Sequence, residues 1–412
     1  MTASSDINAE RLWADIMTMG AIGATEGGGS FRPALSDADR EGRNLFRYWA
    51  QEAGLTVTVD EIGNMFARRE GEDPSLPPLM IGSHLDTQMP GGKFDGVLGV
   101  LAGLAVVRSL SDGAIATKRA IEIVNFTNEE GARFQPGIMG SSVFAGLSRL
   151  DEALSRKDDE GTLLGDELVR IGYAGSRPVG GRPVHKYLEL HIEQGPEMEA
   201  AGVTIAAVSN SSWGCSGFID IKGENGHSQT APMSKRRNAL VAAAQLIIEI
   251  EAIGAENEPD GMVSATVIRN WPNNRVNIPH LTKLSYVVVH ATEPGRAAII
   301  NRIESAVKRI ADETGLSIHN ANSHYRQRLD LSSELCGQVL EAAADRGYPS
   351  MTLPTLTSHD ALSMTQICPT AILFVPCKGG ISHSEKEWCE PYQVAAGARV
   401  LLDMTLKIAN EL

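Results

Sequence analysis

The sequence lacks the features that mark several classes of protein. Its 412 residues include only five cysteines and no C-x-x-C pair, so we expect reduced thiols rather than a disulfide framework or a zinc ribbon. The formal net charge of -14 argues against binding to nucleic acid or to an anionic membrane surface. The longest weakly polar run, Gly96–Val107, is shorter than the ~20 residues of a membrane-spanning helix. The first residues lack the pattern of a secretory signal, and we therefore predict a cytoplasmic protein that acts on a small molecule.

The order of the predicted elements indicates two domains of different architecture. Residues 9–53 have a helical pattern, and strands then alternate with helices, which favours an α/β fold with a mostly parallel sheet. Residues 213–326 read instead as strand, helix, two strands and helix, typical of a smaller α+β domain. We predict that 1–212 and 327–412 together form one domain, into which 213–326 is inserted.

Four apolar stretches end in acidic residues or histidines. They read "LMIGSHLDT", "IEIVNFTNEE", "LELHIEQG" and "ILFVPCKGGISH". Sites in α/β sheets form beyond the carboxyl ends of the strands, so these stretches should deliver their polar side chains to one place. The side chains concerned are those of His84, Asp86, Glu129, Glu130, His191, Glu193 and His383, with Asp95 joining from a glycine-rich turn.

Each of these residues has an ordinary structural explanation when it is considered alone. A single histidine such as His191 is most often a satisfied core or surface residue, and Glu129–Glu130 could lie in a solvated loop. Asp95 could cap the helix that follows it. The occurrence of all of them at the same end of four strands favours a shared site.

Imidazole and carboxylate side chains together suit divalent metal ions. Zn²⁺ or Mn²⁺ fits this chemistry, with Co²⁺ or Ni²⁺ as further possibilities. The candidates exceed the needs of one catalytic zinc, so we expect two ions per chain, about 3.5–4 Å apart and bridged by Asp95. Asp86 could accept the second ring N–H of His84. Of Glu129 and Glu130, one could bind metal while the other takes a proton from water.

Segments from most of the chain resemble the amidase branch of the M20 metallopeptidase-like family. This branch contains N-carbamoyl-L-amino-acid amidohydrolases, allantoate amidohydrolases and beta-ureidopropionases. The segments are "GGGSFRPALSDADREGRNLF", "DEIGNMFARREG", "GSHLDTQMPGGKFDGVLGV", "NFTNEEGARFQPGIMGS", "LELHIEQGPEMEAAG", "GHSQTAPMSKRRNAL" and "FVPCKGGISHSEKEW". The resemblance implies a di-metal catalytic domain and an inserted lid domain that forms a homodimer.

The resemblance also implies a role for each candidate residue. One metal ion would be held by His84, Asp95 and His191, and the other by Asp95, Glu130 and His383. Glu129 would be the general base, with Asp86 supporting His84. Gln194, Asn277 and His227 would contact substrate, with His227 reaching the active site of the partner subunit to stabilise the oxyanion. Glu193 is not a ligand in this family, and we do not retain it.

Two segments depart from the family pattern. An arginine that grips the substrate carboxylate is usual after Asn277, but "LSYVVVHAT" places Val289 or His290 there. The family's "SGAGHDA" reads "TLTSHDA", with Leu356 at a position usually occupied by a small residue. Arg275 could supply the missing charge, or the pocket could accept a neutral or bulkier group. The apolar changes in both segments favour the second alternative.

These observations predict a metal-dependent amidohydrolase that cleaves a linear amide or N-carbamoyl (ureido) C–N bond. An N-acyl deacylase or a dipeptidase on the same fold is the alternative within enzymes, because a fold does not determine a substrate. An alternative of another class is a non-catalytic, metal-binding regulatory dimer. The presence of Glu129 argues against that alternative, because metal binding alone needs no free base.

Overall fold

The computed structural model describes residues 6–411 and their side chains, except the side chains of 322–324. The chain divides into two compact units. The first unit extends to Ser209 and resumes at Asp330, and the second comprises Asn210–Leu329. These limits lie within three residues of the boundaries predicted at 213 and 326. The catalytic and dimerisation roles that we assign to the two units remain predictions.

The strands and helices are numbered in chain order. The strands are β1 (Thr56–Val59), β2 (Met65–Arg69), β3 (Leu79–His84), β4 (Ile121–Phe126), β5 (Lys186–Ile192), β6 (Ile205–Ser211), β7 (Trp213–Lys222), β8 (Gly226–His227), β9 (Gly261–Trp271), β10 (Asn277–Ile278), β11 (Leu281–His290), β12 (Ser317–Arg326), β13 (Ser350–Thr355) and β14 (Thr370–Val375). The α-helices are α1 (Ala9–Ala21), α2 (Asp37–Glu52), α3 (Val97–Asp112), α4 (Met139–Phe144), α5 (Leu150–Leu154), α6 (Leu164–Ile171), α7 (Glu197–Ala201), α8 (Ala239–Ala255), α9 (Glu293–Thr314), α10 (Ser333–Asp345), α11 (Asp360–Met364) and α12 (Pro391–Ala409).

The first unit is built on an eight-stranded mixed sheet with the order β1-β2-β4-β3-β5-β14-β6-β13. The central strands β4, β3, β5 and β14 are parallel, whereas β1, β2 and β6 pair antiparallel nearer the edges. The central strands are buried along their whole length, as expected for parallel strands covered on both faces. The predicted α/β class, with a mostly parallel sheet and a smaller second unit, is confirmed.

Helix α3 brings the turn before it to the carboxyl ends of β3 and β5. Every residue from Val97 to Leu110 is buried, because the helix packs on the sheet and is covered by α1 and α12. Gly99 allows this close approach, since a Cβ there would lie 2.7 Å from the carbonyl oxygen of Leu190. The close packing fixes Asp95, two residues before the helix, beside the strand ends.

The second unit has a four-stranded antiparallel sheet with the order β12-β7-β11-β9. Helices α8 and α9 cover one face, and their aliphatic side chains, including Leu246 and Ile303, form a core with Ile219 and Val288 of the sheet. The short strands β8 and β10 form a separate antiparallel ladder.

One helical prediction was wrong in its extent. The region 9–53 contains two helices, α1 and α2, rather than one continuous helical segment. The glycine-rich connection between them is held by Arg32, whose buried guanidinium donates to the carbonyl oxygens of Met19, Ile22 and Leu85. Three consecutive glycines and a proline in this connection are loop signals that the prediction of a helical region overlooked. Within residues 6–411, no helix combines the length and the apolarity that crossing a membrane requires.

Candidate metal centre

The carboxylate of Asp95 lies between two groups of potential metal ligands. In the first group, its Oδ1 is 3.1 Å from Nε2 of His191 and 3.6 Å from Nε2 of His84. Strands β5 and β3 supply these two histidines, and the turn before α3 supplies Asp95. One ligand atom from each of the three residues lies within 4.8 Å of the others, which is close enough for a single ion.

The second group uses the other oxygen of the same aspartate. Nε2 of His383 is 3.4 Å from Asp95 Oδ2 and 3.3 Å from Oε2 of Glu130. His383 has a φ of 51°, a left-handed backbone conformation that non-glycine residues seldom adopt and that is concentrated at functional sites. The two groups share only Asp95, so the structure provides the geometry that a bridging carboxylate requires.

The two buried imidazoles present the same ring nitrogen to Asp95. Nδ1 of His84 is 2.9 Å from the carbonyl oxygen of Asp86, and Nδ1 of His191 is 3.0 Å from that of Ile192. A carbonyl oxygen only accepts, so these contacts assign the ring proton to Nδ1 and leave the lone pair of Nε2 directed at the candidate centre. This is the tautomer that a metal ligand needs, and the donor set therefore fits a divalent ion.

The contact made by Asp86 differs from the prediction. Its carboxylate is 3.8 Å from Nδ1 of His84, farther than its own carbonyl oxygen. The carboxylate instead accepts from the backbone N–H groups of Glu129, at 3.3 Å, and Glu130, at 3.2 Å. Asp86 thus orients the histidine through its backbone and the pair of glutamates through its side chain.

The two adjacent glutamates occupy different positions. Glu130 belongs to the second ligand group and is held by Gln88, whose N–H and side-chain amide donate to Oε1 and Oε2 at 3.1 and 2.7 Å. Glu129 belongs to neither group, although its Oε2 is 3.4 Å from Nε2 of His84. Burial raises the pKa of Glu129 well above its usual range and that of Glu130 to about 8. A divalent cation would offset the cost of burying several acidic groups together.

Gln194, predicted as a substrate contact, lies against the shared aspartate. Its Nε2 donates to Asp95 Oδ2 at 2.8 Å and to Ser382 Oγ at 2.9 Å. The Ser382 hydroxyl donates in turn to Asp95 Oδ2 at 3.0 Å. Sequence analysis missed Ser382, although its position beside His383 was an available signal.

A third group of potential ligands supports His191. The ring of His359 meets that of His191 edge-on, with 4.6 Å between centroids, and Glu189 lies close to both. The Glu189 carboxylate already accepts from Ser83 Oγ, the Tyr187 hydroxyl and the Ala361 N–H, at 2.8–3.2 Å. These contacts indicate a structural support for His191 rather than a further metal site.

Three predicted substrate contacts lie together in the second unit. His227 and Asn277 are paired residues of the β8–β10 ladder. Arg275 lies two residues before Asn277, and Ser228 contacts this segment through its N–H, which donates to Val276 O at 2.9 Å. The ladder therefore presents an imidazole and an amide side by side, with a guanidinium close in sequence.

His290 lies apart from that ladder. It ends the ten-residue strand β11, and that strand begins four residues after Asn277. A strand of this length spans ~30 Å. The ring accepts a hydrogen bond at Nδ1 from the Thr292 N–H at 2.9 Å and packs so closely on Gly295 that a Cβ there would lie 2.0 Å from it. Within this unit, the structure does not bring His290 together with His227 and Asn277.

The sequence and the structure are similar to those of known amidohydrolases. A sequence model of peptidase family M20/M25/M40 matches residues 80–407. An N-carbamoyl-L-amino-acid amidohydrolase of Rhizobium meliloti is 40% identical over 98% of this chain and 97% of its own, and one of Pseudomonas sp. is 36% identical over 97% and 98%. The crystal structure of a hydantoinase/carbamoylase family amidase from Burkholderia vietnamiensis is 40% identical, covers 100% of both chains and superposes with a TM-score of 0.96.

The chain is therefore an amidohydrolase. It belongs to the M20 family, in the hydantoinase/carbamoylase branch of amidases, as its motifs predicted.

Proposed function

We propose that this amidohydrolase uses two divalent metal ions to cleave the N-carbamoyl C–N bond of an N-carbamoyl-L-amino acid. The observation that carries the proposal is the position of Asp95, whose two oxygens face two separate sets of ligand atoms. The names of the relatives from Rhizobium meliloti and Pseudomonas sp. support the ureido substrate class.

His84, His191 and Asp95 would hold one ion, and Asp95, Glu130 and His383 the other. The donors are nitrogen and oxygen atoms without a thiolate, which suits Zn²⁺ or Mn²⁺. When bound, the ions would polarise the substrate carbonyl and lower the pKa of water. The hydrogen bonds from Gln88, Gln194 and Ser382 would keep the carboxylates oriented for this purpose.

Glu129 would act as the proton carrier. Its carboxylate lies beside His84 but outside both ligand groups, which leaves an oxygen for proton transfer. It would take a proton from the attacking water and return it to the departing nitrogen. Burial raises its pKa, and a raised pKa makes a carboxylate a stronger base.

The β8–β10 ladder would complete the site from a second copy of the chain. His227 would donate to the oxygen on which negative charge develops, and Asn277 would orient the substrate, with both residues available on the ladder. Arg275 would hold the substrate carboxylate, because a guanidinium can bind a carboxylate with two parallel hydrogen bonds. The homodimer is part of this proposal, since each active site would need the ladder of its partner.

A neutral ureido or amide substrate is a second candidate. The residues at the end of β11 include no arginine, Val287 is 42% exposed, and Leu356 of the "TLTSHDA" segment is 37% exposed. Apolar groups at these positions would favour a substrate without a carboxylate.

A panel of substrates separates these functions. We expect ammonia, carbon dioxide and free amino acid from N-carbamoyl-L-methionine, with less turnover of N-carbamoyl-β-alanine and allantoate, and no cleavage of N-acetyl-L-methionine or dipeptides. A higher kcat/KM for the amide of N-carbamoyl-L-methionine than for the free acid would instead support the neutral substrate. Turnover of dipeptides or N-acyl compounds alone would contradict the ureido proposal.

A further inference from the structure

Glu387 makes two hydrogen bonds that place it directly behind the shared aspartate. Its Oε1 accepts from the backbone N–H of Phe94 at 2.8 Å and from that of Asp95 at 3.1 Å. The side chain is only 3% exposed, and it comes from the segment that also carries Ser382 and His383. None of our sequence-based candidates included this residue.

We infer that Glu387 is a positioning residue that fixes Asp95 so that its two oxygens face the two ligand groups. This inference rests on the proposed dinuclear function. Hydrogen bonds to two consecutive N–H groups fix both peptide planes before the Asp95 Cα, and with them the direction of its side chain. A carboxylate shared by two ions tolerates little rotation, because functional sites need their groups within about 0.5 Å and 10–20°.

The turn around Asp95 is shaped to receive Glu387. A Cβ at Gly92 would lie 2.1 Å from both Cδ and Oε1 of Glu387, so only glycine leaves room for the carboxylate. The other oxygen, Oε2, is buried and has no hydrogen-bond partner within the described residues 6–411. A buried oxygen without a partner costs stability, which argues that the side chain is not there for stability alone.

A purely structural tie between two segments is the alternative explanation. It predicts that removing Glu387 lowers the thermal stability but leaves the two ions coupled. A positioning role predicts that the coupling itself is lost, and that glutamine restores it. Glutamine keeps an amide oxygen that can accept both N–H groups, whereas alanine does not.

The experiment is a titration of the full-length protein with Mn²⁺, followed by electron paramagnetic resonance. Two Mn²⁺ ions joined by Asp95 should give the spectrum of an exchange-coupled pair, and isolated ions the six-line spectrum. The variants are Glu387→Gln, Glu387→Ala and Gly92→Ala, the last of which displaces the glutamate without removing it. The matched control is Asp158→Ala, which removes a half-buried carboxylate that likewise accepts two backbone N–H groups with one oxygen, those of Glu160 and Thr162.

We expect the wild type, Glu387→Gln and Asp158→Ala to give the coupled spectrum at two Mn²⁺ per chain. Glu387→Ala and Gly92→Ala should show six-line signals and a dissociation constant for one ion raised at least tenfold. Should Glu387→Ala not fold, Gly92→Ala and Glu387→Gln decide the question. A coupled spectrum in Gly92→Ala, or an uncoupled one in Glu387→Gln, would overturn the positioning role. An uncoupled wild type would instead contradict the dinuclear function itself.

Discussion

The candidate metal centre and the β8–β10 ladder differ in burial and in the number of hydrogen bonds that hold them. In the first ligand group of the metal centre, His84 and His191 are 1% exposed and Asp95 is 5% exposed, whereas the side chain of His383 in the second group is 49% exposed. Each residue of the first group makes at least one hydrogen bond inside the first unit besides its contacts with other candidate ligands. On the ladder, by contrast, His227 and Arg275 are exposed.

This difference shows how each region could contribute to catalysis. The candidate metal centre is assembled within one unit, where hydrogen bonds orient His84, His191 and Asp95. His227 and Arg275 are exposed on their own unit, so under the proposed function they would act on substrate only when they meet another surface. We therefore expect changes at the metal centre to abolish activity and changes on the ladder to reduce it by smaller factors.

The largest effect should come from removing the metal ions. We expect dialysis against a chelator to abolish turnover of N-carbamoyl-L-methionine, and Zn²⁺ or Mn²⁺ to restore it. Elemental analysis of the reconstituted protein should give two ions per chain, because the ligand atoms form two groups. A stoichiometry of one ion or none at saturating metal would contradict a shared Asp95, as would full activity in the chelated protein.

The next largest effect should distinguish the two glutamates. Glu129→Gln should bind both ions and lower kcat by ~10²–10⁴-fold, the usual contribution of general-base catalysis. Glu130→Gln should instead weaken the binding of one ion, since Glu130 contacts His383 in the second ligand group. Metal content and kcat measured on both variants check this assignment. Loss of an ion in Glu129→Gln, with both ions retained in Glu130→Gln, would reverse it.

The sequence was most informative where residue type and strand position coincide. His84 and His191 lie on parallel strands, and Glu130 closely follows another, so their meeting follows from the order of elements once the sheet is known to be parallel. Their chemistry is also distinctive, because a strand end seldom needs an imidazole beside a carboxylate. The strand ends therefore supplied the candidate residues, and the family resemblance selected the five proposed ligands among them.

The remaining contacts could not be predicted because they depend on tertiary geometry. Glu387 contacts the Asp95 N–H from 292 positions away, and no local pattern links the two. The contacts of Asp86 were predicted for the wrong atoms, since a sequence does not reveal whether the carbonyl or the carboxylate oxygen lies nearer to His84. The family resemblance placed Val289 or His290 at a substrate-binding position together with Asn277, but an extended strand separates His290 from Asn277.

A smaller effect is expected from the ladder, and it tests whether active sites are shared between copies of the chain. His227→Ala should lower kcat by ~10²–10³-fold, as loss of an oxyanion donor typically does. When His227→Ala chains are mixed with His191→Ala chains under conditions that exchange subunits, activity should be regained. In each heterodimer, one of the two active sites would then have both an intact His191 and an intact His227. Chains that carry both substitutions are the control and should give no recovery. No regain in verified heterodimers would argue against a shared site.

The smallest effect concerns the grip on the substrate carboxylate and compares two residues of the second unit. Arg275 is two residues from Asn277 of the ladder, whereas His290 is the last residue of β11, at the end of the strand farther from the ladder. A hydrogen bond to a charged group contributes about 1.5–3 kcal/mol, so Arg275→Ala should raise KM for N-carbamoyl-L-methionine roughly tenfold to a hundredfold. The KM for its uncharged amide should change little. His290→Ala is the matched variant and should leave both KM values near those of the wild type.

If His290→Ala weakens binding of the acid and Arg275→Ala does not, the carboxylate is held at the end of β11. If neither variant discriminates between acid and amide, the substrate carboxylate has no ionic partner at these positions, and the neutral substrate becomes the better proposal.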